Sequence, residues 1–324
     1  MATRDQNDDH EGESDQSAVE RRRTRNTWLA IIIAIGVASL AIRLLARYNF
    51  DHSALLYVGI PFLIALAIAA FRPLSKQTKW WHSYRDHANV ALIIFLGSSI
   101  VLFEGFICVV MFMPIYFFFF TLGFAFSWFK HSRTGSRGKT YATILPVLVL
   151  ASSFEGTSDW LSFERASSVT VTKTADLSPA EIMQNIAEPF DLQTERGWLI
   201  SIFPMPYRID AGSLGAGEVH RVYTRYHRWF ATNTHEGEAH LEIVAVEPNR
   251  IETRFIHDST YFSTYLTALG TEISLTEIAP GKTEISLRFD YVRKLDPAWY
   301  FHPLEQLGVG QMASLLIDEV MIRE

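Results

Sequence analysis

Cysteine is nearly absent. Cys108 stands alone among 324 residues, so no disulfide forms within the chain and a disulfide-stapled scaffold is excluded. Charge is scarce between residues 28 and 160, where ten Lys and Arg and five Asp and Glu sit almost entirely between long apolar runs. Basic residues are too few further on to build a nucleic-acid face. Residues 161–324 hold fourteen Lys and Arg against twenty-three Asp and Glu, a net charge of −9. The whole-chain charge of −6 therefore hides two unlike parts. Branched aliphatic and aromatic residues are missing before Val19. Residues 1–27 cannot bury enough apolar surface to offset their ordering entropy and read as a disordered cytoplasmic tail.

Long hydrophobic runs are what the first half does have. Trp28–Leu45 is broken only by Arg43 near its end, Ala54–Phe71 carries no charge, and Ala88–Trp128 carries one, Glu104. About 20 helical residues cross a bilayer core, so the last run suits two spans turning at Glu104-Gly105. A fifth run starting at Tyr141 is short and contains Pro146. The expected spans are 28–45, 54–71, 88–103, 106–128 and 141–157. Arg21, Arg22, Arg23 and Arg25 flank the first run; without a small-residue cleavage site after it, they read as the inside flank of a retained anchor rather than an export signal. Basic residues also collect at Arg72–Arg85 and Lys130–Lys139. The positive-inside rule places these loops and the N-terminus in the cytoplasm. If residues 141–157 cross, the C-terminal part is extracytoplasmic; if they lie on the surface, it is cytoplasmic. The basic loop just before them favours crossing. The expected location is a bacterial cytoplasmic (inner) membrane, with the lipid bilayer as a partner. Glu104 is the polar candidate within the membrane half, weighed against a plain hairpin turn.

From Ser168 the apolar period becomes two. A short strand carries Val169 and Val171, and Ser178-Pro179-Ala180-Glu181 then reads as a capping box opening a helix. Strands are expected over Glu218–Trp229, His240–Val246, Ile251–Asp258, Thr271–Ile278 and Lys282–Lys294, with turns at Pro248-Asn249 and Pro280-Gly281. In the last strand Ile285, Leu287, Phe289 and Tyr291 alternate with polar residues, so one face of an antiparallel sheet is covered. A terminal helix follows Asp296-Pro297, with an apolar stripe of Phe301, Leu304, Met312, Leu315 and Leu316 and with Gly308 and Gly310 inside it. Glycine there invites close approach of a strand or ligand.

Residues 166–324 resemble the START-like SRPBCC superfamily, which includes polyketide cyclase/dehydrase-like proteins. The resemblance rests on Val169-Thr170-Val171 leading into Ser178-Pro179-Ala180-Glu181, the Gly215-Ala216-Gly217 turn before the strand with Arg221, Glu242–Pro248 before its turn, and the helix after Asp296-Pro297. The membrane half, with Glu104-Gly105-Phe106-Ile107-Cys108, Met111 and Pro114, is similar to multi-span segments fused to such domains in bacterial proteins. The apolar runs thus give a membrane α-helical bundle of 4–5 spans, and the resemblance implies that an α+β helix-grip domain follows, a curved antiparallel sheet around a long C-terminal helix. It also implies a cavity for an apolar ligand such as a lipid.

The chemistry-bearing residues decide little by themselves. His235-Glu236-Gly237-Glu238-Ala239-His240 is similar to the zinc-protease HExxH helix motif but has one residue too many, and it reads as a polar hairpin. His220, His227, His240 and His257 have no metal-specifying spacing, and neither a metal nor another cofactor is expected. Gly212, Gly215 and Gly217 lead into a strand and lack the helix N-terminus that cradles phosphate. Phe203-Pro204-Met205-Pro206 reads as an apolar loop. Arg221, Tyr223, Arg225, His227 and Trp229 share one strand face and are either headgroup ligands or a solvated face. The cavity candidates are Arg221, Tyr223, His227, Trp229, Phe255, His257, Leu275, Leu287, Phe289 and Tyr291. No nucleophile–base pair stands out, so hydrophobic-ligand binding ranks first. The alternatives are a membrane-tethered enzyme using His227, Arg221 or Tyr291, and a sensor or assembly protein that binds an unidentified protein.

Overall fold

The computed structural model describes residues 52–71, 79–101, 106–132, 141–191, 205–229 and 232–323, with isolated helical positions at Val37, Ala41 and Leu44. Two compact units emerge. One contains residues 59–104 and 116–149; the other contains 52–58, 105–115 and 150–324. The expected tail over 1–27, most of the first expected span, and Glu104 lie outside the described residues.

Apolar helices supply the first unit, with residues 55–58, 106–115 and 150–152 of these segments belonging to the second. A π-helical turn at Leu55–Gly59 leads into α1 (Ile60–Phe71); α2 (Trp80–Val101), α3 (Phe106–Ser132) and α4 (Tyr141–Ser152) follow. Ala65 and Ile68 of α1 pack with Ala91 and Ile94 of α2 and with Tyr116, Phe120 and Phe124 of α3. Polar groups in this apolar bundle find partners within it. The Tyr116 hydroxyl donates to the Ala91 carbonyl at 3.0 Å, and the hydroxyls of Ser98, Ser99, Thr121 and Ser127 donate to carbonyls four residues earlier. The helix α2 starts at Trp80, eight residues before the apolar run expected from Ala88, because Trp80 stacks on Tyr84 one turn later with ring centroids 5.4 Å apart. Among the described residues, one helix stretch, Val109–His131, is long and apolar enough to cross a membrane, with a mean hydropathy of 2.1; Leu55–Phe71 is apolar but shorter.

The second unit holds an eight-stranded antiparallel sheet. Its strands are β1 (Ala166–Ala175), β2 (Phe190–Asp191), β3 (Met205–Asp210), β4 (Val219–Trp229), β5 (Thr232–Glu247), β6 (Arg250–Asp258), β7 (Leu266–Ala279) and β8 (Lys282–Arg293). The order β1-β8-β7-β6-β5-β4-β3-β2 is a meander with β1 added beside β8. Bulges interrupt the registers of β3–β4, β5–β6 and β7–β8 and add local bend to the sheet. Helix α5 (Pro179–Ala187) follows β1 with its capping box formed: Ser178 N–H donates to Glu181 Oε2 at 2.8 Å, and Ser178 Oγ accepts from Glu181 N–H. Helix α6 (Ala298–Leu316) continues into a π-helical turn, Ile317–Met321. The core forms where Ile243, Ile251, Ile273, Leu275, Ile285 and Leu287 of the sheet meet Ala313, Ile317 and Met321. A curved antiparallel sheet closed over a C-terminal helix is the helix-grip arrangement.

Three local expectations need correction. The stretch His235–His240 is not a hairpin but part of β5, and Gly237 is required there because a Cβ would lie 2.3 Å from the Ser259 carbonyl oxygen. Met205 and Pro206 open β3 instead of lying in a loop; Phe203 and Pro204 fall outside the described residues. The buried stripe of α6 is Phe301, Glu305, Val309 and Ala313, every fourth residue, with Leu304, Met312, Leu315 and Leu316 beside it and only partly covered. Four of the five expected apolar residues flank the true stripe, and a carboxyl sits within it. Gly310 does face a strand: a Cβ there would meet Val169 Cγ1 at 3.6 Å.

Truncating Ile285, which is fully buried between β1 and β7, is expected to destabilise the domain by about 2–5 kcal/mol in Ile285→Ala. Ser178→Ala, which removes only the α5 cap, should lose about 1 kcal/mol. Urea unfolding of the purified chain distinguishes them; equal losses would mean that the sheet–helix core is not the main source of stability.

Candidate ligand-binding site

The alternation along β4 decides where its residues point. Thr224 and Tyr226 are buried and Val222 packs beside Ile209 and Val320, whereas Arg221, Arg225 and His227 are exposed on the opposite face. Arg225 Nε donates to Glu236 Oε1 at 2.9 Å, and His227 Nδ1 lies 2.9 Å from Thr234 Oγ1. Tyr223 shares that outer face and sits beneath the Arg208 guanidinium. The structure therefore places Arg221, Tyr223 and His227 away from α6. His257 is also exposed, its ring centroid 4.9 Å from that of His240. The Trp229 backbone ends β4, and its side chain lies outside the described residues. Among the described residues, no group of three or more His, Cys, Asp or Glu is placed to hold a metal ion.

The remaining candidates do converge. Leu275 and Leu287 belong to the core against α6. Phe289 and Tyr291 pack with Leu266 and Val309, with Phe255 and Met312 alongside, and the Phe255 and Phe289 ring centroids are 5.6 Å apart. This gives β6, β7 and β8 a continuous apolar inner surface opposite the helix.

At the α6 N-terminal end that surface becomes polar. The β8 alternation of Ile285, Leu287, Phe289 and Tyr291 runs on to Arg293, which is 0% exposed. Arg293 Nη1 donates to Asp296 Oδ1 at 2.6 Å and to the Leu295 carbonyl. Asp296 is also 0% exposed, and its second oxygen accepts from Arg165 Nη2 at 2.6 Å. Gly156 adopts φ +84°, and a Cβ there would reach within 2.2 Å of Asp296 Oδ2, so glycine is needed beside the carboxylate. Glu155 accepts the Ala298 N–H at 2.7 Å at the start of α6. Opposite lies Glu305, 7% exposed. Burial pushes its carboxyl up to about 8, with the positive charge of Arg293 opposing that rise. Burial likewise raises the Tyr291 hydroxyl, which sits beside Ser167. Among the described residues, Arg293 Nε and Nη2, both Glu305 oxygens and the Tyr291 hydroxyl meet no hydrogen-bond partner in good geometry. Arg293 and Glu305 were not sequence candidates. The legible signs were the β8 period continuing through Arg293 and the four-residue period of α6 passing through Glu305.

The outer face carries an open groove of about 670 Å³ lined by Val244, Arg254, Leu269, Arg288 and Asp290, among others. Its guanidiniums are already engaged: Arg254 Nη2 is 2.6 Å from Glu242, and Arg288 Nη2 is 2.8 Å from Asp290.

No family model and no curated protein matches the chain. Solved structures that match about half of it include a START superfamily protein from Mycobacterium smegmatis, at 12% identity, covering 48% of this chain and 94% of that one with a TM-score of 0.32. Others are the Zhui aromatase/cyclase from Streptomyces sp. R1128 (15% identity, 47% and 96% coverage, TM-score 0.28) and a major latex-like protein from Panax ginseng (10%, 46% and 97%, TM-score 0.26). The helix-grip description rests on the strand order and the sheet–helix core themselves.

Two outcomes follow from the polar end. Asp296→Asn leaves two guanidiniums without their carboxylate and should destabilise the protein by about 3–5 kcal/mol in urea unfolding; a neutral effect would contradict the pairing. For Glu305, the native state keeps a proton that the unfolded chain releases above the ordinary value of 4.5. Stability from this group is thus full below pH 4.5 and is lost as pH rises to about 8. Glu305→Gln cannot ionise, so unfolding curves at pH 5 and pH 8.5 should show a smaller fall for the variant than for the wild type. Identical falls would remove Glu305 as a buried acid.

Proposed function

We propose that this chain is a multi-pass protein of a bacterial inner membrane whose residues 166–324 form a START-like SRPBCC domain binding a hydrophobic ligand, a lipid first of all, next to the bilayer. The carrying observation is the apolar inner surface made by Phe255, Leu275, Leu287 and Phe289 opposite α6, ending in the buried polar groups of Tyr291, Arg293 and Glu305. A mainly apolar wall with a few convergent polar groups is the composition of small-molecule sites. The membrane reading draws on the Val109–His131 helix, on hydroxyls that bond within their own helices, and on the apolar runs separated by basic loops. Residues 28–157 are assigned to the membrane with the N-terminus in the cytoplasm, and the basic stretch Lys130–Lys139 supports an extracytoplasmic C-terminal domain. A tethered site meets bilayer lipid at high effective concentration. The enzymatic alternative has less support, since Arg221 and His227 point away from α6 while Tyr291 lies against it.

Mass spectrometry of compounds extracted from the purified full-length chain tests this reading. One equivalent of a lipid or other apolar compound, beyond what the detergent blank carries, is expected. A folded chain that yields none, and takes up no added fluorescent lipid, contradicts it.

A further inference from the structure

The buried end of β8 holds more hydrogen-bonding capacity than the described residues use. Arg293 has two distinct edges. Its Nη1 serves Asp296 and the Leu295 carbonyl, leaving Nε and Nη2, the two N–H groups that lie parallel on the side of the guanidinium. That edge matches the two oxygens of a carboxylate in a bidentate pair. A charge this deeply buried is costly unless its donors are met. The Tyr291 hydroxyl, beside Ser167, and the Glu305 carboxyl, beside the Leu295 backbone, are buried in the same cluster and make no hydrogen bond of good geometry among the described residues.

Charge and shape narrow the occupant. Asp296 is one carboxylate shared between two guanidiniums, Arg293 and Arg165, and the Glu155 carboxyl lies in the same cluster beside Asp296, raised first by its burial. Glu155 is committed to the first turn of α6 through the Ala298 N–H. Because burial keeps Glu305 protonated near neutral pH, it offers an O–H instead of a competing negative charge. A single planar negative charge suits this setting better than a phosphate, which brings close to two. Directly beside the polar groups lies the apolar layer of Phe289, Leu266, Val309 and Phe255.

We propose that Arg293, through its Nε and Nη2 edge, and Tyr291 and Glu305 beside it, form an internal receptor for the carboxylate of an acidic ligand. Resting on the ligand-binding reading above, the apolar layer receives the tail, which makes the ligand class a long-chain carboxylic acid. A short free carboxylate presents the same headgroup without the tail.

Equilibrium binding to the full-length chain in detergent tests this, with [1-13C]palmitate as the probe, hexadecanol as the tail without the acid and acetate as the acid without the tail. Palmitate should bind at one equivalent, and hexadecanol should bind about tenfold more weakly or worse. Arg293→Lys, which keeps the charge but loses the fork, should weaken palmitate by about tenfold or more. Tyr291→Phe keeps the ring and should weaken it by a few-fold, which decides the matter if Arg293→Lys does not fold. Equal binding of palmitate and hexadecanol, indifferent to both substitutions, overturns the receptor and leaves the apolar site standing. Acetate bound with the same dependence on Arg293, while palmitate is excluded, supports the receptor and overturns the apolar-ligand reading. Binding of neither acid overturns the receptor.

Discussion

Four parts of the chain meet at one buried carboxylate. Asp296 accepts from Arg293 at the end of β8 and from Arg165 just before β1, and its backbone N–H donates to the His52 carbonyl. The next turn begins α6, whose Ala298 N–H is received by Glu155. An ion pair without solvent contributes little as a bare attraction, because desolvation offsets most of the Coulomb gain. It is strict about geometry, however, since losing one partner strands the other. The joint therefore sets where the helix leaves the sheet, and with it which face of α6 meets β6, β7 and β8.

That setting explains why a carboxyl occupies the helix stripe. Phe301, Glu305, Val309 and Ala313 follow one another at four-residue spacing, and the helix cannot turn Glu305 outward without turning its apolar neighbours outward too. The inner surface is thus graded: aliphatic around Ile285 and Ala313, aromatic around Phe289, and polar at Arg293 and Glu305. The proposed ligand, an apolar body with one acidic end, follows that grading.

Much of the fold was legible in residue order. Period-two alternation located β8 to within a residue, and Ser178-Pro179-Ala180-Glu181 located the start of α5, because both signals are local. The strand spanning His235–His240 was hidden because glycine and charge there mimic a turn, while the actual requirement for Gly237 comes from the distant Ser259 backbone. Half of the candidate residues fall on one shared surface. Phe255, Leu275, Leu287, Phe289 and Tyr291 do share the inner surface, as apolar alternation implies. Arg221 and His227 could not be assigned a face from β4 alone, since both of its faces mix polar and aromatic residues. Arg293 and Glu305 were obscured by the habit of reading charge as solvent exposure, which fails where a partner such as Asp296 is supplied from the next segment.

The side edge of Arg293 is the proposed seat of a carboxylate from outside the chain. A density map of the purified protein, sharp enough to place ordered solvent, tests it most directly. The expected result is a planar feature with two oxygens about 2.8 Å from Nε and Nη2, continuing into the apolar layer beside Phe289. The Glu305 side chain seated on that edge, or separate water peaks alone, would contradict it.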